Sequence, residues 1–196
     1  MSFFPKTRAR AKSHRTQRLR LTWILVVPFL YFATPTWTSL WGSFLLVVPG
    51  LLLRAVSAGY IEKDRVLTVV GPYAYLRHPL YVGSFLVGLG LCLAGGIGWF
   101  LPVYLICFVL LYGRTIRIED RDLAENFGET YGEYRRRVPA FLPRRALSHG
   151  QNLHVQGETS RERFAPALFL RNREWEAVLG VFCGWALLLL KLWFRG

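Results

Sequence analysis

Five long apolar runs constrain this chain more than any other feature. They extend from Leu21 to Trp37, Leu40 to Ala58, Leu80 to Gly95, Ile97 to Tyr112 and Trp175 to Trp193, and a helix needs about 20 apolar residues to cross a bilayer. Inside lipid the backbone must satisfy its own hydrogen bonds, which favours helices. The expected fold is an all-α integral membrane protein with about five transmembrane helices. The first, second and fifth runs are long enough to span. The third and fourth are shorter and meet at Gly95-Gly96, which predicts a short helical hairpin that tilts little or pinches the bilayer. The first run is longer than the apolar core of a signal peptide and another run follows it, so it reads as a retained helix.

A net charge of +13 could point to nucleic acid, and the positions of the basic residues decide the matter. Seven Lys or Arg precede the first run, four lie at the end of the second or between it and the third, and twelve lie between the fourth and fifth. With alternating helices almost all the positive charge falls on one side, and the positive-inside rule places the N-terminus and both long loops in the cytoplasm. The excess therefore reads as topology and attraction to anionic lipid, with no nucleic-acid partner. A bacterial inner membrane or an internal membrane is the expected location. Cys92, Cys107 and Cys183 fall inside apolar runs, and His149 and His154 are five apart, so neither a disulfide framework nor a metal site is expected.

The chain divides into a basic arm (1–20), an N-terminal helix pair (21–66), a core (67–143), a cytoplasmic loop with an interfacial segment (144–174) and a last helix (175–196). Pro28 and Pro49 are expected to kink the first two helices. Residues 66–70, Val-Leu-Thr-Val-Val, form a β-prone run that ends in a Gly-Pro turn.

Chemistry concentrates between Gly71 and Gly90, where Arg77, His78 and Tyr81 stand at the start of an apolar run and Pro79 suits a first helical turn. Interfacial anchoring would explain the residue types, but not the crowding of Gly71-Pro72-Tyr73, Arg77-His78-Pro79 and Tyr81. After the hairpin, Arg114 to Tyr134 is amphipathic: a helical wheel puts Leu123, Phe127, Tyr131 and Tyr134 on one stripe and Arg117, Arg121, Asp122, Glu125, Glu129 and Glu133 opposite. Asp120 falls inside the apolar stripe and Glu119 at its edge. Carboxylates there are costly unless they bind something, and the returning fourth run can set them beside His78. The segment Arg163 to Glu176 is either an interfacial anchor or a lid carrying Arg171, Arg173 and Glu174 toward a substrate.

Together, Gly71-Pro72-Tyr73, Arg77-His78-Pro79-x-Tyr81, Gly88-x-Gly90, Glu119-Asp120-x-x-Leu123-x-x-x-Phe127-Gly128-x-x-Tyr131-x-x-Tyr134 and Val138-Pro139 resemble the isoprenylcysteine carboxyl methyltransferase and phospholipid N-methyltransferase superfamily. The resemblance covers about Leu67 to Pro143. It implies a small helical membrane enzyme that uses S-adenosylmethionine and holds it at the cytoplasmic face. The cofactor would be bound by Tyr73, His78, Pro79, Tyr81, Gly88, Gly90, Glu119 and Asp120, with Arg77, His78 and Glu119 as catalytic residues. Family members commonly carry two glutamates where this chain has Glu119-Asp120. The implied acceptor is a lipophilic molecule that enters from the bilayer and offers a carboxylate or an amine. Two alternatives accompany this reading: an NADPH-dependent sterol-type reductase, whose Arg-His-Pro-x-Tyr-like element usually lies near the chain end, and a non-catalytic membrane scaffold. A transporter is disfavoured on the ground that no ionisable residue lies deep within an apolar run.

Overall fold

The structure, a computed structural model, describes residues 25–61, 66–142 and 164–194. The basic arm, most of the connector after Ile61, and the loop with His149 and His154 lie outside the described residues. Every regular element among the described residues is helical. Residues 25–32 form the described part of α1. They are followed by α2 (Trp37–Tyr60), a 3-10 turn (Gly71–Ala74), α3 (Pro79–Ala94), α4 (Phe100–Arg137), α5 (Pro166–Arg171) and α6 (Trp175–Trp193). The helices α2, α4 and α6 are long and apolar enough to cross a membrane, while α3 is shorter.

Residues 33–36 separate α1 from α2, and Pro35 cannot continue a helix. Thr36 then caps α2 in a capping box: Ser39 N donates to Thr36 Oγ1 at 3.1 Å, and Thr36 N donates to Ser39 Oγ at 3.0 Å. The α3–α4 turn docks on this corner, with Thr34 N donating to Gly95 O at 2.8 Å and Ser39 Oγ to Ala94 O at 3.0 Å. Near the end of α6, Lys191 Nζ donates to Leu30 O and Tyr31 O, both at 2.6 Å, satisfying the last carbonyls of α1. Phe29, Leu40, Ile97, Phe100 and Leu188 form the apolar core beneath this end of the bundle.

The contact between α2 and α3 depends on small residues. A Cβ added at Gly50 would stand 2.9 Å from Gly83 O, and one at Gly83 would stand 2.7 Å from Gly50 O and 2.6 Å from Arg54 Cγ. Lipid offers no hydrophobic force between helices, so close backbone packing has to supply the attraction. The same approach lays Arg54 against α3.

The fourth apolar run and most of the amphipathic segment, which read as successive elements in the sequence, form one continuous helix up to Phe127, and α4 resumes beyond a break at Gly128. The part before the break, residues 100–127, is about 42 Å long at 1.5 Å per residue, more than a hydrocarbon core of about 30 Å, so the polar part projects beyond the membrane. The wheel drawn straight through Gly128 needs correction. Gly128 has φ 53° and ψ −128°, a non-helical conformation that bends the chain, after which Tyr131 and Tyr134 turn into a cluster with Leu67 and Val138. Space does not require glycine here, since an added Cβ would meet nothing within 4 Å; the backbone conformation does. Gly128→Ala is expected to cost about 1–3 kcal/mol, whereas Gly132→Ala, in open helical surroundings, should be neutral or stabilising by up to about 1 kcal/mol. Thermal unfolding of the two variants in detergent checks this.

Candidate active site

At the end of the bundle opposite the Thr34 corner, the chain builds a pocket from short irregular pieces. The β-prone run at 66–70 pairs with no strand among the described residues; it runs in extended form and buries Leu67 against Tyr131, Tyr134 and Val138. Gly71, at φ 59°, turns beneath the ring of Tyr60, and the 3-10 turn follows with Pro72 at its start. Tyr134 Oη donates to Tyr73 O at 2.7 Å, and Arg77 N donates to Pro139 O at 2.9 Å. These bonds fasten residues 73–77 to the far end of α4. His78 is the N-cap residue of α3 and Pro79 its first helical residue, as the missing N–H of proline favours.

The predicted approach of the carboxylates to His78 is present, and Asp120 is its centre. His78 Nε2 lies 2.9 Å from Asp120 Oδ1, and Arg77 Nη1 donates to Oδ1 at 3.1 Å and Oδ2 at 3.0 Å. Tyr131 Oη donates to Oδ1 as well. Burial pushes the Asp120 carboxyl upward, but the hydrogen bonds from His78 and Tyr131 and the attraction of His78 and Arg77 outweigh it, holding the group well below the usual carboxylate range. The phenol of Tyr131 is raised by burial and by its bond to Asp120. An ionised Asp120 only accepts hydrogen bonds, so the partners assign the His78 Nε2 as donor. His78 Nδ1 is then directed toward Glu119, whose Oε2 is 3.8 Å away, too far for a hydrogen bond.

Beside this cluster lies a cavity of about 420 Å³ whose walls come from the end of α2, residues 66–68, the 3-10 turn, the start of α3, the middle of α4, and Glu174. Leu123 and Phe127 make part of the wall apolar. Tyr81 and Tyr112 meet edge to face with ring centroids 5.4 Å apart. Among the described residues, five buried side-chain polar atoms have no hydrogen-bond partner, and four of them belong to residues that line this cavity: Arg54 Nε, Thr68 Oγ1, Tyr73 Oη and Glu119 Oε2. Such atoms cost roughly 1–3 kcal/mol each when left unpaired, so their convergence marks a place built for a polar ligand.

Of the residues singled out in the sequence, Tyr73, Arg77, His78, Pro79, Tyr81, Glu119 and Glu174 line the cavity. Asp120 stands behind the wall, bonded to Arg77 and His78. Arg77 is turned toward that partner, its Nε donating to Val138 O at 3.0 Å. Gly88 and Gly90 are helix contacts outside the cavity walls: an added Cβ would lie 2.6 Å from Tyr104 at Gly88, and 2.6 Å from Val47 Cγ2 at Gly90. Among the described residues of that segment, 164–176, only Glu174 lines the cavity. Arg173 is exposed and pairs with Glu176, and Arg171 is exposed outside the lining.

Arg54 was missed by the sequence reasoning and corrects one of its premises, because an ionisable residue does lie within an apolar run. It stands six residues before the end of α2. Arg54 Nη2 and Glu174 Oε2 are 2.6 Å apart, and Nη1 donates to Ser84 Oγ and to Leu80 O at 3.4 Å. A charge inside lipid-grade sequence was the signal available; counting it with the interfacial charges concealed it.

Fold and cavity together define an integral membrane protein with a polar site where its spans end. Over residues 23–130 the chain matches the phospholipid methyltransferase family, and it belongs to that family of membrane methyltransferases. It is 38% identical over 159 residues to a cobalt-zinc-cadmium resistance protein of Cupriavidus metallidurans, covering 76% of this chain and 73% of that protein. It is 35% identical over 103 residues to the protein-S-isoprenylcysteine O-methyltransferase of Schizosaccharomyces pombe, covering 52% of this chain and 43% of that one. With the methanethiol S-methyltransferase of Crocosphaera subtropica it shares 36% identity over 78 residues, 36% of this chain and 27% of the other. No solved structure matches the chain. Neither the reductase nor the scaffold alternative is favoured by these likenesses.

Asp120→Asn keeps the shape of the cluster but leaves the partly buried Arg77 without its counter-charge, at an expected cost of about 3 kcal/mol. Because the Asp120 pKa is depressed by folding, its stabilisation is fully present above about pH 4 and is lost as pH falls below that value. Thermal unfolding across this range should show a lower midpoint for Asp120→Asn at pH 7 and a smaller difference from wild type in acid.

Proposed function

We propose that this chain transfers a methyl group from S-adenosylmethionine to a lipophilic acceptor at the cytoplasmic membrane face, the acceptor offering a carboxylate or amine on a lipid or prenylated molecule. The observation that carries this reading is the convergence of four unpartnered buried polar atoms on one cavity at the end of the apolar spans. The family membership gives the reaction class, and the residues present suit the cofactor. Glu119 Oε2 accepts from a ribose hydroxyl or an ammonium group, and Tyr73 Oη and Thr68 Oγ1 can donate or accept. The faces of Tyr81 and Tyr112 suit a cationic centre. S-adenosylmethionine, when bound, supplies an electrophilic methyl group.

The protein's contribution is positioning and exclusion of water by Leu123, Phe127 and the tyrosines. Arg77, Asp120 and Tyr131 act through His78: they fix the ring so that Nδ1 faces the cavity. A carboxylate acceptor needs no base. An amine acceptor has to lose a proton, and His78 Nδ1, facing the cavity, is the group we assign to take it. The names of two relatives speak of cobalt, zinc or nickel with cadmium, but no cluster of three or more His, Cys, Asp or Glu able to hold a metal occurs among the described residues.

Titration of oriented membrane vesicles with S-adenosylmethionine and with NADPH tests the reading. Saturable binding of S-adenosylmethionine from the cytoplasmic side alone is expected, weakened about tenfold or more in Glu119→Gln, the scale of one charge-assisted hydrogen bond. Binding of NADPH in its place, or binding from the opposite side, would overturn it.

A further inference from the structure

Three apolar helices reach the membrane surface together at the pocket end of the bundle. Asn172 Nδ2 donates to Ile61 O at 3.2 Å, which sets the approach to α6 beside the end of α2, and the turn leading into α3 passes beneath Tyr60, the last residue of α2. Arg77 and His78 stand at that level, just ahead of Pro79. Helix α4 crosses it at Asp120, which bonds both residues. From there α4 runs on for about 10 Å to Phe127, turns at Gly128, and has about 12 Å of helix left from Glu129 to Arg137. The last part comes back to the same level, since Arg77 N donates to Pro139 O at 2.9 Å and Arg77 Nε to Val138 O at 3.0 Å. Asp120 and residues 138–139 thus flank one arginine, and the polar part of α4 leaves the membrane surface and returns to it.

Charge is sorted along this path by distance from the surface. Asp122, Glu125 and Glu129 occupy the far stretch around the bend, where Arg121 pairs with Glu125. The exposed Arg114 and Arg117 precede the departure, and Arg135, Arg136 and Arg137 are exposed at the end of the return, where Glu133 is bonded to Arg137. Directly after these arginines, Phe141 and Leu142 are 38% and 79% exposed. Leu142 is three residues beyond Pro139, so it lies within about 10 Å of the level where α3 begins. The inward apolar residue of this turn is a different one, Val138, which is buried with Leu67, Tyr131 and Tyr134. Exposed Phe and Leu beside three arginines make an interfacial surface: the apolar side chains suit the boundary between headgroups and acyl chains, and the cations suit lipid phosphates.

We propose that Phe141 and Leu142, with Arg135 and Arg136, form a docking surface for anionic phospholipid, holding the returned end of α4 on the headgroups of the leaflet at the pocket end. The surface stands whether or not the pocket carries out methyl transfer. Its effect reaches the pocket wall through bonds already described: residues 138–139 hold Arg77, and Tyr134 Oη holds Tyr73 O. Lipid that fixes residues 141–142 therefore also steadies residues 73–77. A protein partner or a second copy of the chain would cover the same side chains without a need for lipid charge, and the sorting of basic residues toward the membrane favours lipid.

The test uses the full chain in lipid nanodiscs of phosphatidylcholine, alone or with phosphatidylglycerol added, carrying a small fluorophore on Leu142→Cys. A fluorophore on Glu125→Cys, near the bend, is the comparison, and the unsubstituted chain taken through the same labelling sets the background from Cys92, Cys107 and Cys183. The label at 142 is expected to be quenched by lipid carrying a nitroxide at the headgroup and shielded from a neutral nitroxide in water, and the label at 125 to behave in the opposite way. In phosphatidylglycerol, Arg135→Gln and Arg136→Gln should each lower the ratio of inserted to free label about fivefold, the scale of one basic residue at an anionic surface. Removing phosphatidylglycerol should lower it without any substitution, and thermal unfolding in detergent should be the same for both variants as for the unsubstituted chain. Hydrogen exchange needs no variant at all: residues 73–77 of the unsubstituted chain should exchange more slowly in phosphatidylglycerol than in phosphatidylcholine. A label at 142 quenched from water and untouched by lipid nitroxide would overturn the inference, as would a label shielded from both, the mark of a protein or a second copy on the surface. Insertion indifferent to phosphatidylglycerol and to both arginines would overturn the anionic preference, and hydrogen exchange indifferent to lipid would overturn the link to the pocket wall.

Discussion

The carboxylate of Asp120 is where three distant stretches of the chain are tied together. Arg77 and His78 come from the turn ahead of α3, Tyr131 from beyond the bend in α4, and Asp120 from the straight part of α4. Each partner alone would be a polar group in a costly place, and together they satisfy one another. The backbone bonds around them follow the same route, from Tyr134 to Tyr73 and from Arg77 to Pro139. The pocket wall at residues 73–78 therefore takes its position from the end of α4. The bend at Gly128 brings Tyr131 back onto the residue eleven positions before it, and the site could not close around a straight helix.

Chemistry follows from this tie in a definite order. An ionised Asp120 fixes one nitrogen of His78 and turns the other toward the cavity, beside Glu119. The residue nearest the centre of the cluster thus lies outside the cavity and serves those that line it. Arg77, a catalytic residue by the family resemblance, is turned toward Asp120 and Val138 O. Arg54, whose buried Nε has no partner, is brought to the cavity wall by the close passage of Gly50 and Gly83.

Much of this was legible beforehand because it is local. Apolar run length dictates helices, Gly95-Gly96 dictates a turn, and Pro79 dictates a helix start, each from a few adjacent residues. The return of α4 beside α3 followed from connectivity, which is why the approach of Asp120 to His78 could be foreseen. What escaped depended on conformations or contacts that residue type does not encode. Gly128 bends where Gly132 does not, although both sit in the same amphipathic pattern. Gly88 and Gly90 looked like part of a binding motif, yet they meet Tyr104 and Val47 across a helix contact. Arg54 looked interfacial until its partners on α3 and at Glu174 were in view. The β-prone run at 66–70 had the residues of a strand and, among the described residues, no strand to pair with.

The central claim, that the cavity between α2, α3 and α4 is where the methyl donor binds, is tested most directly by ultraviolet cross-linking of radiolabelled S-adenosylmethionine to the purified protein, followed by mapping of the labelled peptides. The account predicts label on residues 66–81 and 112–127, competed away by unlabelled S-adenosylhomocysteine. Competable label confined to other peptides, with none on those two, would contradict it.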